Sequence, residues 1–179
     1  MPMSTDDRHD PADLVDRLAQ HRFADMSELL DTPVVIVTAF DGERGAGCLV
    51  GFWTQCSIDP PRYLVCLSQA NYTHGVAARS AVLAVHLVPD DRFDLAELFG
   101  GETGDEVDKL ARCDWTPGPA GVPILDGCPD WFVGREVARV GAGDHDAVVL
   151  EPVNLSAGEP AGPFVHYRRA EQIDPGHPA

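Results

Sequence analysis

Positive charge is scarce in this chain: 13 Lys and Arg face 29 Asp and Glu, a formal net charge of -16 at pH 7. Binding to a phosphate backbone needs clustered basic side chains, and the few present are scattered, which argues against nucleic acid or an anionic membrane as partner. The acidity reads as a solubility feature. Long apolar runs are also missing: none approaches the roughly 18 to 20 residues that cross a bilayer. The first ten residues, MPMSTDDRHD, have neither the basic nor the apolar region of a signal peptide, so the expected location is cytoplasmic. There is no CxxC and no HExxH, so no metal is expected. Cys48, Cys56, Cys66, Cys113 and Cys128 are odd in number and lie mainly in apolar surroundings, as buried reduced thiols would. His86, inside the apolar run Ala81 to Val88, is expected as a hydrogen-bonded core histidine rather than a ligand.

What the chain does have is apolar content sufficient for one core. With 179 residues and 44% hydrophobic content, a single domain is expected over residues 31–168. Before it, 1–30 reads as a tail without fixed structure to Asp10 and covering helices over Pro11–Phe23 and Met26–Leu30; after it, 169–179 reads as a loose tail. Within the domain, the β-branched strand Val34–Phe40 meets the hairpin signal Asp41-Gly42 and then a long strand, Gly45–Ser57. Asp59-Pro60-Pro61 stops that strand by removing backbone donors, and Tyr63–Leu67 returns. A helix over Asn71–Arg79, a strand over Ala81–Val88, a helix over Asp94–Phe99, a loop over 100–108 and a turn-rich stretch over 118–129 follow. Strands over Trp131–Val140 and Asp146–Val153 flank Gly141–His145, and Pro163–Tyr167 is the last. Six or seven antiparallel strands with short helices predict a mainly β fold, a closed or partly closed barrel.

The stretch Gly45–Ser68 attracts most interest. Its even positions Cys48, Val50, Phe52, Thr54 and Cys56 are mostly apolar, while Leu49, Gly51, Trp53, Gln55 and Ser57 mix small, polar and aromatic groups, so one strand serves two environments. Backbone amides and hydroxyls at the end of such a strand pair can hold a planar heterocycle with a phosphate. A helix start near Asn71–His74 offers amides and a positive dipole end, Ser68 and Thr73 offer hydroxyls, and Arg79 offers charge. Plainer roles compete: capping for Asn71 and Thr73, a self-satisfied strand end for Thr54–Ser57, a tight hairpin for Gly143-Asp144-His145, and packing for Trp53, Trp131 and Phe132. Nothing in the spacing fixes Cys56 and His74 as a nucleophile and base, and Gly141-Ala142-Gly143 lacks the setting of a Rossmann fingerprint.

In order along the chain, the hairpin, GxxxGxxTxxSxDPP, the apolar strand, Asn-x-Thr-His, AVLAVHL, DLAELF, GVPILDG and GDH together resemble the flavin reductase-like family with its FMN-binding split barrel of Greek-key type, from about Asp31 to Tyr167. The resemblance implies that Gly47, Cys48, Leu49, Val50, Gly51, Thr54, Gln55, Cys56 and Ser57 lie along the flavin. It also implies that Ser68, Asn71, Thr73 and His74 help hold its phosphate, and that His145 is the catalytic residue near the nicotinamide. The implied cofactor is FMN, with FAD possible, and the co-substrate NADH or NADPH; the implied assembly is a homodimer that can serve a monooxygenase partner. Leu49, Gly51 and Gln55 depart from the hydroxyl residues common in the family, which weakens side-chain contacts to the flavin and leaves backbone contacts in place. Those departures motivate an alternative, a non-catalytic module holding flavin or haem, and a deazaflavin-using relative is a further reading.

Overall fold

β-Branched side chains dominate Val35–Phe40, and in the computed structural model this segment is strand β1. The described residues are 19, 20, 22, 23, 26, 27, 29–158 and 162–176. Strands β2 (Gly45–Val50), β3 (Trp53–Ser57) and β4 (Arg62–Ser68) follow, then helix α1 (Tyr72–Ala77), β5 (Leu83–Leu87) and helix α2 (Phe93–Gly101). The remainder is β6 (Trp115–Pro117), β7 (Pro123–Leu125), β8 (Trp131–Ala142), β9 (His145–Leu155) and the short helix α3 (Tyr167–Ala170).

Seven strands form one antiparallel sheet in the order β2-β1-β5-β8-β9-β4-β3, and β6 and β7 make a separate ribbon. This is the mainly β architecture with short helices that the pattern predicts. β1 is buried on both faces because its side chains alternate between two clusters. Val35, Val37 and Ala39 join Leu67, Leu83, Val148 and Leu150, while Ile36 joins Leu95, Phe99 and Leu125 beneath α2. The hairpin to β2 turns at Gly42 with φ +99°, a value that suits glycine. Asp41 closes the turn: its Oδ1 accepts from the Glu43 and Arg44 amides at 3.0 and 2.9 Å.

His86 ties the ribbon to the sheet. It is fully buried, with Nδ1 3.1 Å from the Ile36 carbonyl and Nε2 accepting from the Leu125 amide at 3.2 Å. The Thr38 hydroxyl adds a bond to the Pro123 carbonyl at 2.6 Å. The core-histidine expectation is met here, while the ribbon was not anticipated: β6 lies just before the turn-rich stretch 118–129 and β7 inside it.

Several expectations change. Gly45–Ser57 is not one strand: it breaks at Gly51-Phe52, and β2 and β3 lie at opposite edges of the sheet. The chain bends there because β2 follows β1 while β3 must follow β4. Pro163–Tyr167 is not a strand but two isolated bridges, Phe164 to Pro89 and His166 to Pro33, before α3. Residues 172–176 are docked rather than loose: Ile173 packs on the second cluster and the Gly176 amide donates to the Gly100 carbonyl at 3.1 Å; residues 177–179 lie outside the described residues. The cysteines are all free, yet only Cys48 and Cys128 are buried; Cys56 is exposed because β3 has no neighbour on its outer edge.

Residues 1–31 and 32–179 are two compact units. In the first, residues 19, 20, 22, 23, 26 and 27 are helical, and the Ser27 hydroxyl donates to the Phe23 carbonyl at 2.7 Å. The expected unstructured tail and the start of the first covering helix lie outside the described residues.

Candidate functional site

The break at Gly51 makes the site. A Cβ on Gly51 would stand 2.6 Å from Cε2 of Tyr167, so only glycine lets the strand pass this ring. The departure from a hydroxyl residue at this position therefore has a steric cause. Phe52 follows, 55% exposed, with its ring 6.2 Å from Tyr167 in a stacked arrangement and 5.6 Å from His145 edge-on. These three rings line a cleft of about 330 Å³, a volume that suits a small-molecule site.

Each wall has a separate origin. The second half of β2 supplies Cys48, Leu49 and Val50, the end of β4 supplies Ser68, and Asn71 precedes α1. His145 opens β9, where Ser68 and His145 are register partners, and Tyr167 opens α3. Seven of the residues anticipated from sequence thus meet in one place: Cys48, Leu49, Val50, Gly51, Ser68, Asn71 and His145.

The others do not line this cleft. Gly47 lies farther along β2, where an added Cβ would stand 2.5 Å from Cε1 of Phe99. Thr54, Gln55 and Cys56 are exposed on β3. There the Gln55 amide donates to the Ser57 carbonyl at 3.1 Å, a strand end satisfied by its own turn. Thr73 is buried, 1% exposed. His74 Nε2 lies 2.8 Å from Asp146 Oδ2, a hydrogen bond that holds the Asp146 carboxyl below its ordinary pKa with help from Gln69.

The helix start is also committed differently from the expectation. Asn71 Oδ1 accepts from the Thr73 amide at 2.9 Å, and the His74 amide donates to the Asn71 carbonyl at 2.9 Å. Arg79 turns away to Asp41, 2.7 Å between Nη2 and Oδ2. The Arg44 amide, then Arg79 and the Glu43 amide, hold the Asp41 carboxyl at about 2.

His145 is oriented by its neighbour. Nδ1 lies 2.8 Å from Asp144 Oδ1, and this bond lowers the Asp144 pKa. With Nδ1 as donor, the neutral ring presents Nε2 as an acceptor; once protonated it presents a donor. The loop is fastened as well, since the Gln69 amide donates to the Asp144 carbonyl at 2.9 Å.

Phe52 and Tyr167 were not anticipated as site residues, and neither was Glu171 on the same wall. Phe52 hides in an apolar alternation that fits a core position equally well, and Tyr167 is distant in sequence from Gly51. The usable signal was Gly51 itself, a glycine mid-strand that marks a close approach. Trp53 takes the packing role: Nε1 donates to the Pro33 carbonyl at 2.7 Å and the ring stacks on Tyr63 at 6.2 Å.

The profile of the flavin reductase like domain matches residues 26–173. The chain is 31% identical over 151 residues to an NADH:riboflavin 5'-phosphate oxidoreductase of Streptomyces pristinaespiralis, covering 82% of this chain and 84% of that one. It is 27% identical over 159 residues to the reductase subunit HsaB of a flavin-dependent monooxygenase from Rhodococcus jostii, covering 89% and 80%. Among solved structures it resembles an FMN-binding protein from Thermus thermophilus with bound 1-cyclohex-2-enone, with a TM-score of 0.66, 29% identity and 70% of each chain covered.

Proposed function

The chain belongs to the flavin reductase-like family, and from that premise we propose that it is an NADH-dependent FMN reductase whose flavin ring lies in the cleft between Gly51, Phe52, His145 and Tyr167. The observation that carries this reading is the junction of rings around a glycine that tolerates no side chain. The walls fit such a ligand: mostly apolar, with a few converging polar groups at Ser68, Asn71 and His145. A bound flavin would supply the redox chemistry, accepting a hydride at N5 from the dihydronicotinamide C4 while a proton is taken up at N1, so that FMN and NADH yield reduced FMN and NAD⁺.

The protein's part is orientation and charge. Phe52 and Tyr167 offer flat faces against which rings stack. His145, fixed through Nδ1 by Asp144, points its remaining nitrogen at the ligand and stabilises negative charge that develops on reduction. Backbone groups on the unpaired edge of β2 hold the ring where side-chain hydroxyls are absent. The split-barrel reading draws support from the sheet order, whose two edge strands, β2 and β3, are consecutive in the chain; in the break between them the Phe52 carbonyl accepts from the Cys66 amide of β4 at 2.9 Å.

We also read a homodimer from the apolar surface left on β8 and β9, where Val137, Val140, Val153 and Leu155 are exposed. Supply of reduced flavin to a monooxygenase is the role supported by the likeness to HsaB.

The test is anaerobic mixing of protein, FMN and NADH. Rapid bleaching of the yellow flavin is expected, and His145→Ala should slow the reductive step about a hundredfold with unchanged thermal stability. Tight FMN binding without bleaching would make the chain a carrier instead.

A further inference from the structure

β2 borders a second hollow, and it is the larger: about 480 Å³. The cleft follows the second half of the strand, Cys48 to Val50, and the hollow follows the first, Gly45 to Gly47. The flanking elements divide in the same way, with Asn71 and Gly100 on the cleft and Tyr72 and Gly104 on the hollow. Both therefore border β2, an edge strand of the sheet. The centres of these two halves, Ala46 and Leu49, are three residues apart, or about 10 Å along a strand.

The chemistry of the hollow differs from that of the cleft. Phe40, Tyr72 and Trp115 give it aromatic walls. Lys109, the only lysine in the chain, is 4% exposed, and its Nζ donates to the Phe99 carbonyl at 2.9 Å. No carboxylate among the described residues forms an ion pair with it; burial lowers its pKa, and the charge on Glu102 offsets this only in part. Arg44 lines the same hollow as Tyr72, which raises the pKa of its guanidinium. Two carboxylates on the rim, Glu43 and Glu106, make no side-chain hydrogen bond or ion pair with the described residues; Asp108, by contrast, accepts from the Leu110 and Ala111 amides.

We propose that this hollow is the adenosine subsite for NADH, with adenine against Tyr72 and Trp115, a ribose diol accepted by Glu106, and Lys109 and Arg44 facing the diphosphate. The inference rests on the cleft being the place of ring-to-ring hydride transfer. A buried cation that no carboxylate pairs directly suits an anionic ligand group, and aromatic faces beside it suit a planar base. Free carboxylates accept ribose hydroxyls and repel a 2'-phosphate. The same arrangement therefore selects NADH over NADPH.

Calorimetry on the FMN-loaded protein separates the possibilities. ADP-ribose is expected to bind, and its 2'-phosphorylated form to bind at least about tenfold more weakly. Trp115→Ala should weaken ADP-ribose about tenfold and raise KM for NADH by a similar factor, as loss of one stacking face would, without the same penalty for reduced nicotinamide mononucleotide, which lacks the adenosine. Glu106→Lys, at an exposed position, should narrow the gap between the two ADP-riboses. FMN binding with no heat from ADP-ribose overturns the subsite and leaves the cleft standing, and so does an equal change in KM for the dinucleotide and mononucleotide. No heat from FMN itself removes both.

Discussion

The two ends of the seven-stranded sheet are built from one uninterrupted run of sequence yet live in different surroundings. β2 is buried or half-buried throughout, because β1 pairs with it and α2 covers it; three of the five residues of β3 are exposed, because among the described residues only β4 pairs with it. The residue types do not foretell this. Cys48 and Cys56 share the same alternation, and one is buried while the other faces solvent. Neighbours decide burial at a strand, and the candidate site forms where the neighbours change.

The buried end carries the largest predicted effect. His86, on β5 two strands from β2, is held neutral by burial at about 4, against an ordinary value of 6.5. Protonation would point an Nε2 hydrogen at the Leu125 amide, which already donates to that nitrogen. A folded-state pKa below the unfolded one stabilises the protein above 6.5, and this contribution fades as pH falls through 4, by about 3 kcal/mol in all. Urea denaturation between pH 7 and pH 4 measures the loss. Replacement by Gln should flatten that slope; an unchanged slope would assign it to the carboxylates.

The junction between the ends comes next. Gly51→Val drives a side chain into the Tyr167 ring and should cost about 1–3 kcal/mol, together with a comparable loss in FMN affinity, read by denaturation and by flavin titration. Combining it with Tyr167→Ala returns the space: stability should recover, and the affinity should not if the ring itself contacts flavin. Full recovery of both would reduce Tyr167 to a spacer.

The junction also shows what could be read from the chain alone. The strands over Val35–Phe40, Leu83–Leu87 and the β8–β9 hairpin are legible because β-branched runs and glycine turns are local signals. His145 and Gly51 were legible through motif order. Tyr167 was not, since its approach to Gly51 depends on the path of 162–176, which is held by bonds such as Val34 amide to Val165 carbonyl at 2.9 Å and carries no strand periodicity. The break in Gly45–Ser57 was hidden because a single glycine in an alternating run fits a continuous strand and a change of partner equally well.

The smallest effect belongs to the open end and tests the comparison most directly. Cys56→Ser should change stability by no more than about 0.5 kcal/mol, as at an ordinary surface position. Burial pushes the thiols of Cys48 and Cys128 up to about 11 and about 12, so at pH 8 neither supplies appreciable thiolate. A disulfide reagent on the native protein should therefore modify Cys56 rapidly, while Cys48 and Cys128 react only on unfolding. If Cys56 is protected in dilute protein, β3 is covered and the contrast with β2 disappears; if protection grows with protein concentration, a second copy of the chain provides the cover, and β3 joins the association surface.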